Sequence, residues 1–278
     1  MKKHDLVQTL FVAALLAVQL TACAPEPDAE MSRPVIEGWI DSDGYPVVVF
    51  TASVSPSGSG GKLSRQVIRW GRVTVFDGEC TEVLTGGPSD EYFPPYRYYS
   101  FEMKGVPGRT YRLTADYGDL HAEATCVMPV PTEIGSVDFS PIEGNDTLRA
   151  ASLTFIAPDD CPAYYQIFIR EEGKRPLPTM MGAFRADEPG ATVTLPLYMP
   201  RSGLLDGPYV PQFVAGDRLQ IMLCRVTGPV YDFWRAYDSA VSFGGGMLMG
   251  DSPVPTLIDG GYGVWSARGV SSVYVTVS

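Results

Sequence analysis

Thr110-Tyr111-Arg112-Leu113-Thr114-Ala115-Asp116-Tyr117, followed two residues later by Leu120 to Met128, decides the fold class. Tyr111, Leu113, Ala115 and Tyr117 alternate with Arg112, Thr114 and Asp116. That period of two describes a strand with one dry and one wet face. Leu120 to Met128 is the expected partner strand. The same period dominates outward from here, starting at Val35. Val47 to Phe50 is a short apolar strand. Arg72 to Phe76 runs into Asp77-Gly78 and then Glu79 to Leu84, and Asp-Gly between two such runs predicts a two-residue hairpin turn. Pro129 and Pro131 mark a boundary near residue 130.

The second half repeats the style. Leu148 to Ile156, Tyr164 to Arg170, Ala191 to Tyr198, Arg218 to Val226 and Val270 to Val277 are expected strands. Tyr165, Ile167 and Ile169 share one face, as do Ala191, Val193, Leu195 and Leu197; Val273, Val275 and Val277 point inward. One helix interrupts this pattern over 228–243. Thr227 stands at its cap, Pro229 in its first turn, and Val230, Phe233, Trp234, Tyr237 and Val241 make one apolar stripe. With 29 Gly, 24 Pro and 45% hydrophobic residues, the chain has many turns around a real core. The expected fold is all-β: two consecutive β-sandwich domains of immunoglobulin, fibronectin-III or transthyretin-like type. They span 33–130 and 131–278, and the second carries the amphipathic helix.

The first 22 residues read differently. Lys2 and Lys3 precede an apolar run from Leu10 to Leu20, then Leu20-Thr21-Ala22-Cys23. This is a secretory leader, and Leu-x-Ala-Cys is the processing pattern of a bacterial lipoprotein. Cys23 would carry a diacylglycerol and start the mature chain. Residues 23–32 form a flexible acidic tether. The apolar run spans about 11 residues against the roughly 20 that cross a bilayer, so the chain is expected to be anchored through its acyl chains. Removing residues 1–22 leaves 19 basic and 31 acidic residues, a net charge of −12. Such a surface repels nucleic acid.

Four further cysteines remain: Cys80, Cys126, Cys161 and Cys224. An even count in an oxidising compartment suggests disulfides, and four cysteines allow three pairings. If each half closes its own bridge, the pairs are Cys80–Cys126 and Cys161–Cys224. The alternative is buried free thiols. Zinc is disfavoured, because no C-x-x-C occurs and the mature chain has one histidine, His121. His121 sits at a strand start with no G-x-S-x-G anywhere, so no catalytic residue, metal site or cofactor is nominated. A hydrolase using a carboxylate pair is the least favoured reading. Asp41-Ser42-Asp43-Gly44 has the composition of a calcium turn and equally of a plain turn.

Binding surfaces are better represented. Tyr92, Phe93, Tyr96, Tyr98 and Tyr99 crowd one segment, offering rings for stacking if exposed and sheet packing if not. The proline-rich stretch Met199 to Phe213 presents Leu204 and Tyr209. Met247-Leu248-Met249 follows a triple glycine.

Several segments resemble one family. They are Val35 to Ile40 with Pro46 to Thr51; Arg72 to Gly78; Gly108-Arg109-Thr110-Tyr111-Arg112-Leu113 with Ala122 to Thr125; and Ile258-Asp259-Gly260-Gly261-Tyr262-Gly263-Val264-Trp265. They resemble Bacteroidota-type outer-membrane lipoproteins that carry a domain of unknown function and are often encoded beside TonB-dependent receptors. Leu257 stands where the family has Asn, and Trp265 where Phe is usual. The resemblance implies a two-part all-β fold and a role in outer-membrane uptake with a TonB-dependent receptor as partner, and it brings no catalytic residues. Glu26, Asp28 and Glu30 near Cys23 resemble that group's surface-export signal, favouring the cell surface over the periplasmic face. The alternative function is a standalone adhesin or glycan- or peptide-binding module. Gly260, Gly261 and Gly263 read as structural, permitting close backbone approach where a strand begins.

Overall fold

The structure is a computed structural model that describes residues 33–53, 67–92, 94–179, 182–200, 209–242 and 254–278, the side chains of 241 and 242 excepted. The expected all-β class holds, with a single helix among the described residues. Residues 1–32 with Cys23, and Phe93, Leu204 and Met247 to Met249, lie outside the described residues.

The described residues form three sheets. The largest has nine strands in the order β12 (Leu177–Pro178), β11 (Ala163–Glu171), β16 (Arg218–Val226), β17 (Tyr262–Thr276), β1 (Pro34–Asp41), β2 (Val47–Ala52), β6 (Tyr96–Tyr99) and β5 (Thr85–Pro88), with β13 (Phe184–Ala186) also on β11. A second sheet orders β4 (Thr81–Val83), β3 (Arg72–Phe76), β7 (Thr110–Tyr117) and β8 (Leu120–Val127). The third has β14 (Thr192–Leu197), β10 (Asn145–Ile156) and β15 (Phe213–Val214), with β9 (Ile134–Ile142) on β10. The β7–β8 hairpin pairs from Thr110↔Val127 to Tyr117↔Leu120, as its alternation predicts.

Both smaller sheets lie against one face of the large sheet. The first core joins Ile36, Ile40, Val48 and Phe50 to Val73, Val75, Tyr111 and Leu113; the second joins Tyr165, Ile167, Ile169, Leu219 and Ile221 to Leu153 and Phe155. Strand β17 serves both. Its first half runs parallel to β1, Val35↔Tyr262 through Asp41↔Arg268, and its second half runs antiparallel to β16, Arg218↔Thr276 through Arg225↔Gly269. Trp265 and Ala267 fill the first core, while Val273, Val275 and Val277 pack on the second. Ile258, Trp265 and Ala267 thus join the core formed by the chain's first half. The chain passes from β8 to β9 over Gly269, where an added Cβ would stand 2.3 Å from the Pro129 oxygen. No larger residue fits beneath that crossing.

The hairpin at Asp77-Gly78 forms with four loop residues instead of two. Phe76 pairs with Thr81, and the Asp77 carboxylate accepts bonds from the amides of Glu79 (2.9 Å) and Cys80 (2.8 Å). This side-chain turn stabilises the longer loop. The amide of Cys80 is the leading reason that the Asp77 carboxyl sits below its ordinary pKa; Arg109, 2.5 Å away, adds to the shift.

Neither expected disulfide forms, and all four cysteines are free thiols. Thr81, next to Cys80, pairs through Phe76 and Arg112 to Thr125, so Cys80 and Cys126 are three ladders apart. At roughly 4.8 Å per ladder, that exceeds the ~7 Å Cα reach of a bridge. Cys161 packs on the second core, whereas Cys224 alternates with the core residues Leu223 and Ile221 and so faces away from it. Burial pushes the Cys224 thiol up to about 12, and also raises Cys126.

Helix α1 (Gly228–Ser242) lies on the outer face of the large sheet. Val230 and Phe233 pack with Val226 and Val264, flanked by Tyr164 and Trp234, while Tyr237 at the far end of the stripe is exposed. The helix covers one end of that face.

Candidate ligand-binding cleft

The aromatic segment is mostly internal. Tyr98 is buried, donates its hydroxyl to the Ile68 oxygen (2.8 Å) and accepts from the Gly71 amide (2.9 Å). The Tyr96 hydroxyl donates to the Arg69 oxygen at 2.9 Å. Tyr99 meets Phe101 edge-on at 4.9 Å. Tyr92 is half-buried, 5.9 Å from Trp39, with the guanidinium groups of Arg97 and Arg175 over its ring at 5.2 and 5.6 Å. Burial raises the Tyr92 phenol above its ordinary pKa. Rings held this way pack the fold together and are not free platforms. Tyr209 is also tied down, donating to the Met199 oxygen at 2.7 Å.

Glu91, the neighbour of Tyr92, lines one wall of a cleft. The β5–β6 loop that carries Glu91 and Tyr92 leans toward the β11–β12 hairpin that carries Arg175. Between them opens a cleft of about 610 Å³ lined by Glu91, Arg170, Glu171, Glu172, Lys174, Arg218, Gln220 and Tyr274. That size is in the range of small-molecule sites. An adjoining hollow of about 340 Å³ shares Glu171, Glu172 and Arg218.

Strand register builds the floor. Arg170 pairs with Gln220 and Gln220 with Tyr274, so three neighbouring strands present one row. Period two puts this row opposite the core residues Ile169, Leu219 and Val275. Arg170 donates to the Gln220 side-chain oxygen and to the Tyr274 hydroxyl (3.2 Å), and Gln220 donates onward to Ser272 (3.0 Å). The row is thus fixed by its own hydrogen bonds, yet Tyr274 leaves 74% of its surface in solvent. Lys174 pairs with Glu171 at 2.6 Å. Arg218 and Glu172 have no ion-pair partner among the described residues. The cleft therefore offers a fixed ring, a free guanidinium and a free carboxylate.

Below the cleft, Arg268 clamps the two parts of the sheet together. It donates to both Asp41 oxygens (2.5 and 2.9 Å) and lies 5.2 Å from the Trp39 ring and 4.7 Å from Phe168. The Asp41 carboxylate is therefore occupied by Arg268. No group of three or more His, Cys, Asp or Glu side chains suited to a metal occurs among the described residues.

The three glycines lie where strands enter close contact. An added Cβ would stand 2.5 Å from the His121 oxygen at Gly260, 2.7 Å from the Pro34 oxygen at Gly261 and 1.9 Å from the Ile36 oxygen at Gly263. His121 is exposed on β8, its Nδ1 2.6 Å from Asp116 and its Nε2 3.5 Å from Glu123. The Asp116 hydrogen bond, leading the causes, raises its pKa above 6.5. A raised folded pKa stabilises below the unfolded value, and that contribution is lost as pH rises through the folded one. An NMR titration of His121 should show a midpoint above 6.5, and Asp116→Asn should lower it. A midpoint unmoved by that substitution would contradict the pairing.

Sequence reasoning missed Tyr274, Arg170, Gln220 and Arg218. The usable signal was the alternation of β17, which faces Tyr274 outward between Val273 and Val275. A family profile described as a domain of unknown function, DUF4249, matches residues 23–272. No curated protein matches the chain significantly.

Proposed function

The chain belongs to the DUF4249 family, and from that membership, its leader and its cleft we propose a lipid-anchored outer-membrane binding protein that works beside a TonB-dependent receptor in uptake. The observation that carries the binding role is the cleft, whose floor is held by hydrogen bonds while an aromatic ring stays exposed. Sites preorganised in this way bind with a smaller ordering penalty. Leu20-Thr21-Ala22-Cys23 supports the anchor, and acyl chains bury roughly 0.8 kcal/mol per CH₂ in the bilayer. The acidic tether supports display on the cell surface.

Two measurements test this location. Cys23→Ser should move the protein from the membrane fraction to the soluble fraction, and retention in the membrane would contradict the anchor. Cys80 is exposed, whereas Cys126 and Cys224 are buried. A membrane-impermeant maleimide should therefore label the protein on intact cells, and Cys80→Ser should remove most of that label. Labelling only after outer-membrane permeabilisation would place the protein on the periplasmic face.

A further inference from the structure

We propose that the cleft between the β5–β6 loop and the β11–β12 hairpin takes a neutral, hydroxyl-rich ligand, an oligosaccharide, with Tyr274 as its stacking platform. The inference rests on the binding role proposed above and names its ligand class.

The chemistry of the walls excludes most alternatives. The cleft carries three cationic side chains, Arg170, Lys174 and Arg218, and three anionic ones, Glu91, Glu171 and Glu172. Their balance favours neither a polyanion nor a polycation, against a protein whose net charge is −11. Some of these charges are already spent. Lys174 and Glu171 neutralise each other at 2.6 Å, and Glu91 lies 3.9 Å from Arg97. Arg170 is committed to Gln220 and Tyr274. The groups left free are the planar ends of Arg218 and Glu172. A guanidinium presents parallel donors and a carboxylate parallel acceptors. Each matches a vicinal pair of hydroxyls, and hydroxyls supply both donors and acceptors.

The ring completes the match. Tyr274 is 74% exposed, although its hydroxyl is engaged by Arg170 at 3.2 Å. That bond fixes the ring's direction and leaves its face bare. The face of an aromatic ring is electron-rich, and the axial C–H bonds of a pyranose are its natural complement. A large apolar ligand is disfavoured because the walls are charged. The hollow of about 340 Å³ beyond Glu171, Glu172 and Arg218 prolongs the cleft. This elongation suits a chain of sugar units over a single one.

The test uses the full acylated chain in detergent. Maltohexaose, cellohexaose, xylohexaose and mannohexaose serve as probes, with trigalacturonic acid and triglycine as charged controls, and saturation-transfer NMR and calorimetry read binding. At least one neutral oligosaccharide should bind, and the charged controls should not. Tyr274→Ala should weaken that binding roughly tenfold, the equivalent of an aromatic contact, with an unchanged melting temperature because the ring is exposed. Tyr274→Phe keeps the ring and should retain the binding, which separates stacking from the hydroxyl's bond to Arg170. Binding by none of the four, equal binding of the charged controls, or full binding in Tyr274→Ala would overturn the proposal. Those failures would leave the membrane location intact, because Cys23→Ser and Cys80 labelling report on it independently.

Discussion

Arg268→Ala should destabilise the protein by about 3–5 kcal/mol, the penalty for leaving a desolvated charge without its partner. Arg268 is 8% exposed and gives two hydrogen bonds to Asp41. Its guanidinium also lies between Trp39 on β1 and Phe168 on β11. Alanine would strip Asp41 of both donors and open a gap between the two rings. The penalty should come from the orphaned carboxylate more than from the lost attraction. Arg268→Met with Asp41→Asn should therefore recover much of the stability, because the double change removes both charges. Denaturant unfolding of the two variants measures both effects. A single variant within about 1 kcal/mol of the parent would mean that Asp41 is solvated and the clamp is weak.

Gly263→Ala should be more damaging still. Gly263 has φ near 112°, and its missing Cβ would lie 1.9 Å from the Ile36 oxygen on β1. Two penalties combine there: a backbone conformation hostile to alanine and a collision with a carbonyl in the parallel ladder. Gly78 separates them. It has φ near 99° with nothing within 4 Å of the added Cβ. Gly78→Ala should cost about 1–3 kcal/mol, strain alone. Gly263→Ala should exceed about 4 kcal/mol and sharply reduce the folded yield. Equal destabilisation of the two would mean that β1 and β17 do not approach as closely as their register requires.

Much of this fold is legible in the sequence wherever one face of a strand is wet. Tyr111 to Tyr117 and Tyr164 to Arg170 alternate, while Arg218 to Val226, buried on both faces, is legible only as a near-continuous apolar run between turns; each is a strand. The first half of β17 is not legible. Val264, Trp265, Ser266, Ala267, Arg268 and Gly269 are all buried, so no period separates inside from outside. Burial on both faces erases alternation. The parallel pair β1–β17 joins residues more than 200 positions apart, and nothing local announces it. Arg268 also looks too polar for a buried strand until Asp41 comes within reach.

The candidate site divides in the same way. The sequence drew attention to Tyr96, Tyr98 and Tyr99 because they cluster, but a run of tyrosines reads alike whether it faces water or a core. Tyr98 spends its hydroxyl on Ile68 and Gly71, and is 2% exposed. Tyr274 stands alone between valines and gave no composition signal. Its partners Arg170 and Gln220 come from strands some 50 to 100 residues earlier. The cysteines mislead for a related reason. An even count is compatible with bridges, yet register sets Cys80 three ladders from Cys126.

Affinity purification of the tagged, acylated protein from native outer membranes in mild detergent, with mass spectrometry of its companions, tests the uptake role most directly. A TonB-dependent receptor recovered in near-equal amount is the predicted result. Recovery of the protein alone, from membranes where such receptors remain intact, would contradict the partnership and leave a standalone binding protein.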